Sequence, residues 1–195
     1  MKYLIVLFPC QLLLLNAEYI FDHPCPNRPV MQNFNINKIA GKWYSVMQYE
    51  DAYTSSFFCG YTNYYVIDNS SVKVTFCELH NKAYSCLTLI ISIMNPTRSI
   101  LEGSALYAFI DNPKKIIDEF KYLSVDYDDY AVVYNCKNID GNKSVQNVWV
   151  VSRTPNLSDN GKSKVDVILD EHFDRSKIKS VEQNPDICDE QNFSK

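Results

Sequence analysis

Short stretches rich in β-branched and aromatic residues recur along most of the chain, and polar or turn-forming residues bound each of them. Such stretches are typical of β-strands. The links between them are short and hairpin-like, which favours an antiparallel all-β fold. We predict strands over residues 42–49, 60–67, 72–79, 87–94, 100–110, 115–120, 122–127, 131–136 and 145–152. Two packed sheets and a closed barrel both fit this pattern.

After the last predicted strand, one segment has apolar residues at helical spacing and predicts an amphipathic helix. Its apolar positions, at helical spacing, are Val165, Ile168, Leu169 and Phe173. Ser158 or Asn160 could cap the start of this helix, and Gly161 weakens its first turn. A further extended piece is predicted over residues 177–182. Ahead of the strands, three prolines keep the arm over residues 18–32 from forming a helix.

The N-terminus predicts a secretory signal peptide over residues 1–17. Lys2 supplies the positive start, an apolar run follows to Leu15, and Ala17 is a small residue at the expected cleavage site. The apolar run is too short for a transmembrane anchor, which needs about 20 residues. We therefore expect a soluble, secreted chain with one domain over residues 18–195.

The charge of the chain is mildly acidic, −4, and removal of Lys2 with the signal peptide changes it to −5. An acidic chain lacks the basic surface that nucleic acids and anionic membranes require. We therefore predict no nucleic-acid partner and no stable membrane insertion.

Six cysteines remain after Cys10 leaves with the predicted signal peptide, and an even number suits three disulfides in an oxidising compartment. Sequence arithmetic alone leaves 15 pairings open. No C-x-x-C pair occurs, so a zinc site is not indicated, and no metal ligands are predicted. Four glycosylation sequons begin at Asn69, Asn142, Asn156 and Asn192.

No catalytic motif is present. The three histidines, His23, His80 and His172, lie on the arm, at a strand end and on the predicted helix, without a nucleophile motif beside them. Asp126, Asp128 and Asp129 cluster in one turn, where carboxylates are usually solvated. We predict no enzyme activity and no catalytic residues.

Three segments resemble the sequence blocks of the lipocalin family. Residues 33–44 contain G-x-W, formed by Gly41 and Trp43, with F-x-x-x-K upstream. Residues 125–127 resemble its T-D-Y block, with Val125 where the family usually has threonine. Residues 148–153 resemble the third block and end in Arg153. The resemblance covers residues 25–188, and within the family it points to the insecticyanin-like bilin-binding proteins of insects and to apolipoprotein D.

The resemblance implies an eight-stranded antiparallel up-and-down β-barrel with one C-terminal α-helix packed outside. Trp43 then closes the bottom of the barrel, and Arg153 packs across its indole. Asn35 and Lys38 belong to a helical turn that plugs this end. The resemblance also assigns structural roles to Gly41, Asp126 and Tyr127.

The resemblance selects among the cysteine pairings as well. It implies that Cys25 ties the arm to Cys136 and that Cys59 ties the tail to Cys188. Cys77 and Cys86 remain, and we predict a third bond between them across a hairpin. That bond and the apolar run over residues 87–94 depart from the bilin-binding pattern, so residues 77–100 are the least transferable region.

Inside such a barrel, alternate side chains on each strand face the cavity. Family anchors and outward-facing cysteines fix which ones, and any bulge reverses the alternation beyond it. The predicted ligand-binding residues are Trp43, Met47, Tyr64, Phe76, Glu78, Leu101, Tyr107, Phe120, Tyr122, Asn135 and Asn147. An apolar, aromatic lining with a few polar groups suits a small-molecule pocket.

The resemblance therefore implies a secreted carrier of a small hydrophobic ligand, with a biliverdin-type bilin pigment considered first and no cofactor required. A fatty acid, steroid or retinoid is the alternative ligand, and a monomer or weak homo-oligomer is expected. Two other functions stay open: a salivary-type lipocalin that acts on host amines or proteins, and a prostaglandin-isomerase-type enzyme. The enzyme needs a free cysteine thiol inside the barrel.

Overall fold

A computed structural model describes residues 19–49, 58–69, 71–80, 83–93, 103–109 and 112–188. Within these residues, ten strands follow one another. They are β1 (Tyr19–Phe21), β2 (Gly41–Tyr49), β3 (Phe58–Asp68), β4 (Ser71–His80), β5 (Ala83–Ile93), β6 (Ser104–Phe109), β7 (Asn112–Asp126), β8 (Tyr130–Asp140), β9 (Lys143–Ser152) and β10 (Ile178–Ser180). The helices are α1 (Asp159–His172) and α2 (Pro185–Cys188), with 3-10 turns at Ile36–Ile39 and Arg175–Lys177. The predicted signal peptide lies outside the described residues.

Strands β2 to β9 pair in sequence order, each antiparallel to the next. β9 also pairs with β2, from Tyr44 opposite Ser152 to Gln48 opposite Trp149, and this ladder closes the barrel. β1 lies on the remaining edge of β9, and β10 lies on β2. The predicted all-β, eight-stranded up-and-down barrel with a helix outside is confirmed. The strand pattern alone left a two-sheet sandwich and a barrel open, and the structure forms the barrel.

Several strand boundaries differ from the predictions; β8, for example, runs to Asp140 instead of ending at Cys136. Residues 115–120 and 122–127 were expected as two strands, but β7 is continuous, because Lys121 pairs with Ser104 on one side and Tyr134 on the other. β5 begins at Ala83 instead of Leu87, since the hairpin ladder starts at His80 opposite Ala83. Residues 94 and 100–102, also predicted as strand, lie outside the described residues.

The helix α1 packs its apolar stripe on the outside of the barrel. Val165 and Leu169 are fully buried there, against Val148 and Val150 of β9. Of the two cap candidates the structure uses Ser158, whose hydroxyl accepts a hydrogen bond from the Gly161 N–H at 2.9 Å. This outer cluster is separate from the cluster inside the barrel, which surrounds Trp43.

Arg28 fastens the N-terminal arm to the outer cluster. Its guanidinium carbon lies 4.2 Å from the ring centre of Phe173 and 4.9 Å from that of Tyr134. Tyr49 meets Phe173 edge-on, with ring centres 5.9 Å apart. A cation between aromatic faces gains electrostatic attraction in addition to the buried area.

The three disulfides pair as the resemblance and the hairpin implied. Cys25–Cys136 and Cys59–Cys188 join residues 111 and 129 apart, whereas Cys77–Cys86 joins facing residues of β4 and β5 only 9 apart. In the chain-entropy model, long closed loops contribute about 4–5 kcal/mol each and short ones less. The two long-range bonds therefore restrict the unfolded chain most.

Within the part of the chain that the structure describes, no helix is both long and apolar enough to cross a membrane. The same residues contain no cluster of histidine, cysteine and carboxylate side chains that could hold a metal ion.

Replacement of Gly161 by alanine tests the packing of the first turn of α1. In an ordinary helix this change is stabilising, by about 0.5–1 kcal/mol. Here the added methyl group collides with the Asp129 carboxylate, which accepts a hydrogen bond from the capping Ser158. We expect the free energy of unfolding to fall by about 1–3 kcal/mol, measured by urea denaturation. The control is Gly141→Ala, where no atom lies within 4 Å of the added group. A stabilised Gly161→Ala protein would contradict this packing.

Alkaline pH is expected to weaken the outer cluster through Tyr49. Burial raises the pKa of Tyr49 from 10.0 to about 12. The folded state thus favours the neutral phenol, so this stability is complete below about pH 10 and is lost as the pH rises through about 12. The denaturation midpoint of the wild type should fall over this range, and that of Tyr49→Phe should fall less. Equal falls would show that Tyr49 does not carry the effect.

Candidate functional site

The closed end of the barrel is built around Trp43. The indole is 0 % exposed, and its Nε1–H donates to the Ile39 carbonyl at 2.7 Å. Arg153 covers the ring, with its guanidinium carbon 3.8 Å from the ring centre. Gly41, where β2 begins, adopts a φ of +99°. The indole and the guanidinium thus meet at the floor, as the resemblance implied.

Arg153 also donates to four backbone carbonyls around the floor. Nε donates to Tyr127 at 2.8 Å, Nη1 to Ala40 at 2.8 Å and to Lys42 at 3.2 Å, and Nη2 to Lys38 at 3.2 Å. Burial lowers the pKa of the guanidinium. These bonds tie the 3-10 turn, the start of β2 and the β7–β8 turn into one floor.

The 3-10 turn at Ile36–Ile39 plugs the floor from below. Asn35 caps it, because its side chain accepts from the Asn37 N–H at 3.0 Å. The Asn35 N–H in turn donates to the Tyr127 hydroxyl at 2.6 Å. Asp126, before Tyr127, lies 3.7 Å from the Lys164 ammonium of α1. Asp126 and Tyr127 therefore support the floor from outside the cavity.

Inward-facing residues just above the floor pack tightly. Tyr122 stacks on Phe34, with ring centres 4.5 Å apart, and its hydroxyl lies 3.5 Å from that of Tyr64. Val74 and Ile91 are fully buried beside them. This half of the barrel is a packed core.

Closer to the mouth the interior is less filled. Phe120 stacks on Trp149, with ring centres 5.4 Å apart and planes inclined by 28°, and both rings are only partly buried. Leu87 faces Phe76 across the β4–β5 ladder, so it points inward, yet it is 37 % exposed. An inward-facing side chain that meets solvent indicates an open upper half.

Polar groups line this upper half. Asn135 donates through Nδ2 to the Glu119 carbonyl at 2.8 Å and lies opposite Asn147 in the β8–β9 ladder. Both side chains are largely buried. Glu78 lies beside Gly60, on the facing wall. The structure thus brings the predicted polar residues to the same half of the barrel as the partly buried aromatic rings.

The prediction for Met47 is wrong. β2 carries a bulge between Ser45 and Met47, which reverses the alternation beyond it. Met47 accordingly joins the outer cluster, and Gln48, opposite Trp149, takes the inward position. Of the other predicted residues, Leu101 lies outside the described residues, and Tyr107 is placed by its backbone, opposite Ile91.

Sequence reasoning missed three residues of this region: Gln48, Leu87 and Gln183. Leu87 could have been found, because an outward Cys86 places the next residue inward. The inward position of Gln48 was missed because the bulge in β2 reverses the alternation of side chains. Gln183, on the C-terminal tail, belongs to no strand, so no periodicity could assign it.

The described sequons are exposed at Asn69, Asn142 and Asn156, whereas Asn192 lies outside the described residues. Ser144, the hydroxyl residue of the second sequon, is fully buried, and Ser158, that of the third, caps α1. Glycosylation therefore remains a prediction, and at Asn142 it would have to precede folding.

A second concavity, of about 510 Å³, lies at the closed end. Its lining residues are Lys38, Val125, Asp126, Tyr127, Asp128, Tyr130, Arg153 and Lys164. Arg153 is bonded to the floor carbonyls and Lys164 is paired with Asp126. This polar groove suits an apolar ligand poorly, and the barrel interior is the better site.

A model of the lipocalin / cytosolic fatty-acid binding protein family matches residues 40–184. The chain belongs to the lipocalin family. Relatives include apolipoprotein D of Cavia porcellus, 28% identical over 169 residues that cover 82% of each chain. Bilin-binding protein of Pieris brassicae is 29% identical over 171 residues, which cover 87% of each chain. Insecticyanin from Manduca sexta has a similar structure, with a TM-score of 0.74 at 20% identity over 88% of this chain and 93% of that one.

Arg153→Lys tests the floor of this lipocalin. A lysine keeps the charge but cannot reach four carbonyls and cover the indole at once. We expect the free energy of unfolding to fall by about 2–4 kcal/mol, measured by urea denaturation. The control is Arg175→Lys, because Arg175 forms exposed ion pairs with Asp166 and Asp170. That change should cost less than about 1 kcal/mol. Similar losses in both variants would argue against the role of Arg153.

Proposed function

We propose that this lipocalin is an extracellular carrier that holds one small hydrophobic ligand in the mouth half of its barrel. The observation that carries the proposal is the change in exposure along the inner wall. Trp43 at the floor is fully buried, whereas Leu87, which also faces inward, is 37 % exposed. A barrel sealed at one end and open above accepts a ligand from one direction.

The chemistry of the upper half supports a flat, conjugated ligand. Phe120 and Trp149 present nearly parallel rings on adjoining parts of the wall. Burial of apolar area against such rings contributes about 25 cal/mol per Å². The Asn135, Asn147 and Gln48 side chains supply hydrogen-bonding groups that can fix the orientation of the ligand.

A biliverdin-type bilin is the ligand we propose first. Bilin-binding protein of Pieris brassicae, which is named for binding a bilin, aligns with 87% of this chain. Bilins are extended conjugated molecules with polar ends, which matches stacked aromatic rings among amide side chains. A fatty acid, steroid or retinoid is the alternative, since the same apolar area would bind those molecules.

The cysteines support the extracellular location and bear on the enzyme hypothesis. All six cysteines of the described residues are paired in disulfides, as expected in an oxidising compartment. None of these six offers the free thiol that an isomerase of the prostaglandin type would need. Secretion through residues 1–17 is part of this proposal.

Titration of the purified protein with biliverdin tests the proposal. We expect one ligand per chain and a change in the visible absorption band of the pigment. Phe120→Ala should weaken binding about 10- to 100-fold, because the loss of a buried aromatic contact costs about 1.5–3 kcal/mol. Tyr44→Ala, which removes a ring from the outer cluster, should leave affinity unchanged.

Parallel titrations with a fatty acid, a steroid and a retinoid separate the ligand classes. Native mass spectrometry of protein from its natural source then gives the mass of the resident ligand. Tight binding of another class in place of biliverdin would overturn the bilin assignment alone. Failure of all four classes to bind, or equal binding by Phe120→Ala, would overturn the carrier site.

A further inference from the structure

The neighbouring strands β2 and β3 are paired only over their lower part, near the closed end of the barrel. The β2–β3 ladder ends where Tyr44 lies opposite Tyr61. Just beyond, β2 carries its bulge between Ser45 and Met47. On β3, Cys59 adopts a φ of +57°, in a stretch where the pairing with β4 is irregular. From this level toward the mouth, the described residues of β2 and β3 do not pair with each other.

The C-terminal tail occupies the gap between them. β10 pairs with residues 47–49 of β2, on the edge that β3 has left. After β10, the Val181 N–H donates to the Val46 carbonyl at 3.0 Å, and the Cys59 N–H donates to the Glu182 carbonyl at 2.8 Å. The tail is thus bonded to β2 on one side and to β3 on the other, as a strand of the wall would be.

Gln183 lies at the point where the strands part. Its Nε2 donates to the Ser45 carbonyl of β2 and to the Gly60 carbonyl of β3, each at 2.8 Å. The residue is only 8 % exposed. β2 and β3 still approach each other closely here, since a Cβ on Gly60 would lie 3.2 Å from the Ser45 Cβ. The Gln183 side-chain amide therefore supplies a hydrogen-bond donor to one carbonyl of each strand, just beyond the end of the β2–β3 ladder.

The gap adjoins the upper half of the cavity. Gln48, on the stretch of β2 that β10 covers, lies opposite Trp149, which stacks on Phe120. Glu78 of β4 lies next to Gly60, one of the two residues whose carbonyls Gln183 binds. A passage between β2 and β3 would therefore lead to the height at which the ligand is proposed to sit.

We propose that the tail from Val181 to Cys188 completes the wall of the ligand cavity and that Gln183 closes a side passage through it. Gln183 is a positioning residue, because it holds the tail in the wall and has no assigned contact with the ligand. The Cys59–Cys188 disulfide anchors the far end of the tail. The inference rests on the proposed function, since a wall retains a ligand only if the barrel binds one.

Rapid-mixing kinetics with the fluorescent probe 1-anilinonaphthalene-8-sulfonate test this role. An additional passage raises the rates of probe entry and probe exit by the same factor, because it lowers the barrier between them and leaves the free energies of the bound and free states unchanged. We expect Gln183→Ala to raise the association and dissociation rates about tenfold, since two wall carbonyls lose their donor. The equilibrium affinity should stay within about twofold of the wild type. Gln183→Glu, which keeps the size but lacks the amide donor, should behave in the same way.

Gln146→Ala is the matched control. Gln146 is also a buried glutamine with two hydrogen bonds, to Tyr134 and Ser144, but it is remote from the gap. It should lower stability without changing either rate. The paired substitutions Cys59→Ser and Cys188→Ser give a second test at the other end of the tail, and both rates should rise there as well.

The outcomes separate the two proposals. Wild-type protein that binds neither the probe nor any of the four ligand classes overturns the carrier function itself. Binding by the wild type with unchanged rates in both Gln183 variants overturns the side passage and leaves the carrier function standing. A faster dissociation with unchanged association would identify Gln183 as a ligand contact and would also overturn the passage.

Discussion

One guanidinium group, that of Arg153, joins the segments that meet at the closed end of the barrel. It lies on the Trp43 indole and donates to carbonyls from the 3-10 turn, the start of β2 and the turn after β7. The carbonyls of Tyr127 and Ala40 would otherwise need another donor in a partly buried place. Because the floor is sealed in this way, the barrel has one closed end, and the proposed ligand site lies in the other half.

Incomplete packing in the upper half costs stability, because unfilled space forfeits contacts at about 24 cal/mol per Å³. The outside of the barrel offsets this loss. Val165 and Leu169 of α1 bury themselves against β9, and Arg28 lies between Tyr134 and Phe173. The long-range disulfides add to this by restricting the unfolded chain. The outer cluster and the proposed ligand site thus lie on opposite faces of the same strands.

The alternation of side chains explains which features the sequence predicts well. Strands, the helix stripe and the floor follow from local periodicity and from motifs that contain Trp43 and Arg153. Met47 was misplaced because a one-residue bulge reverses the alternation and leaves no mark in the apolar pattern. β7 was divided in two because Lys121 interrupts the apolar residues without interrupting the ladder. Periodicity finds strands, but it does not find where a ladder shifts.

The contribution of the tail is a further step beyond periodicity. Gln183 is a polar residue in a polar segment, and its role depends on two carbonyls more than 120 residues earlier in the chain. Those carbonyls need an external donor only because β2 bulges and β3 turns at Cys59, at the same height. A barrel whose wall is completed by a side chain, instead of a continuous ladder, has a weak place there. That weak place lies on the stretch of β2 that leads to Gln48, opposite Trp149, so under the proposed function the irregularity bears on how firmly this lipocalin holds its ligand.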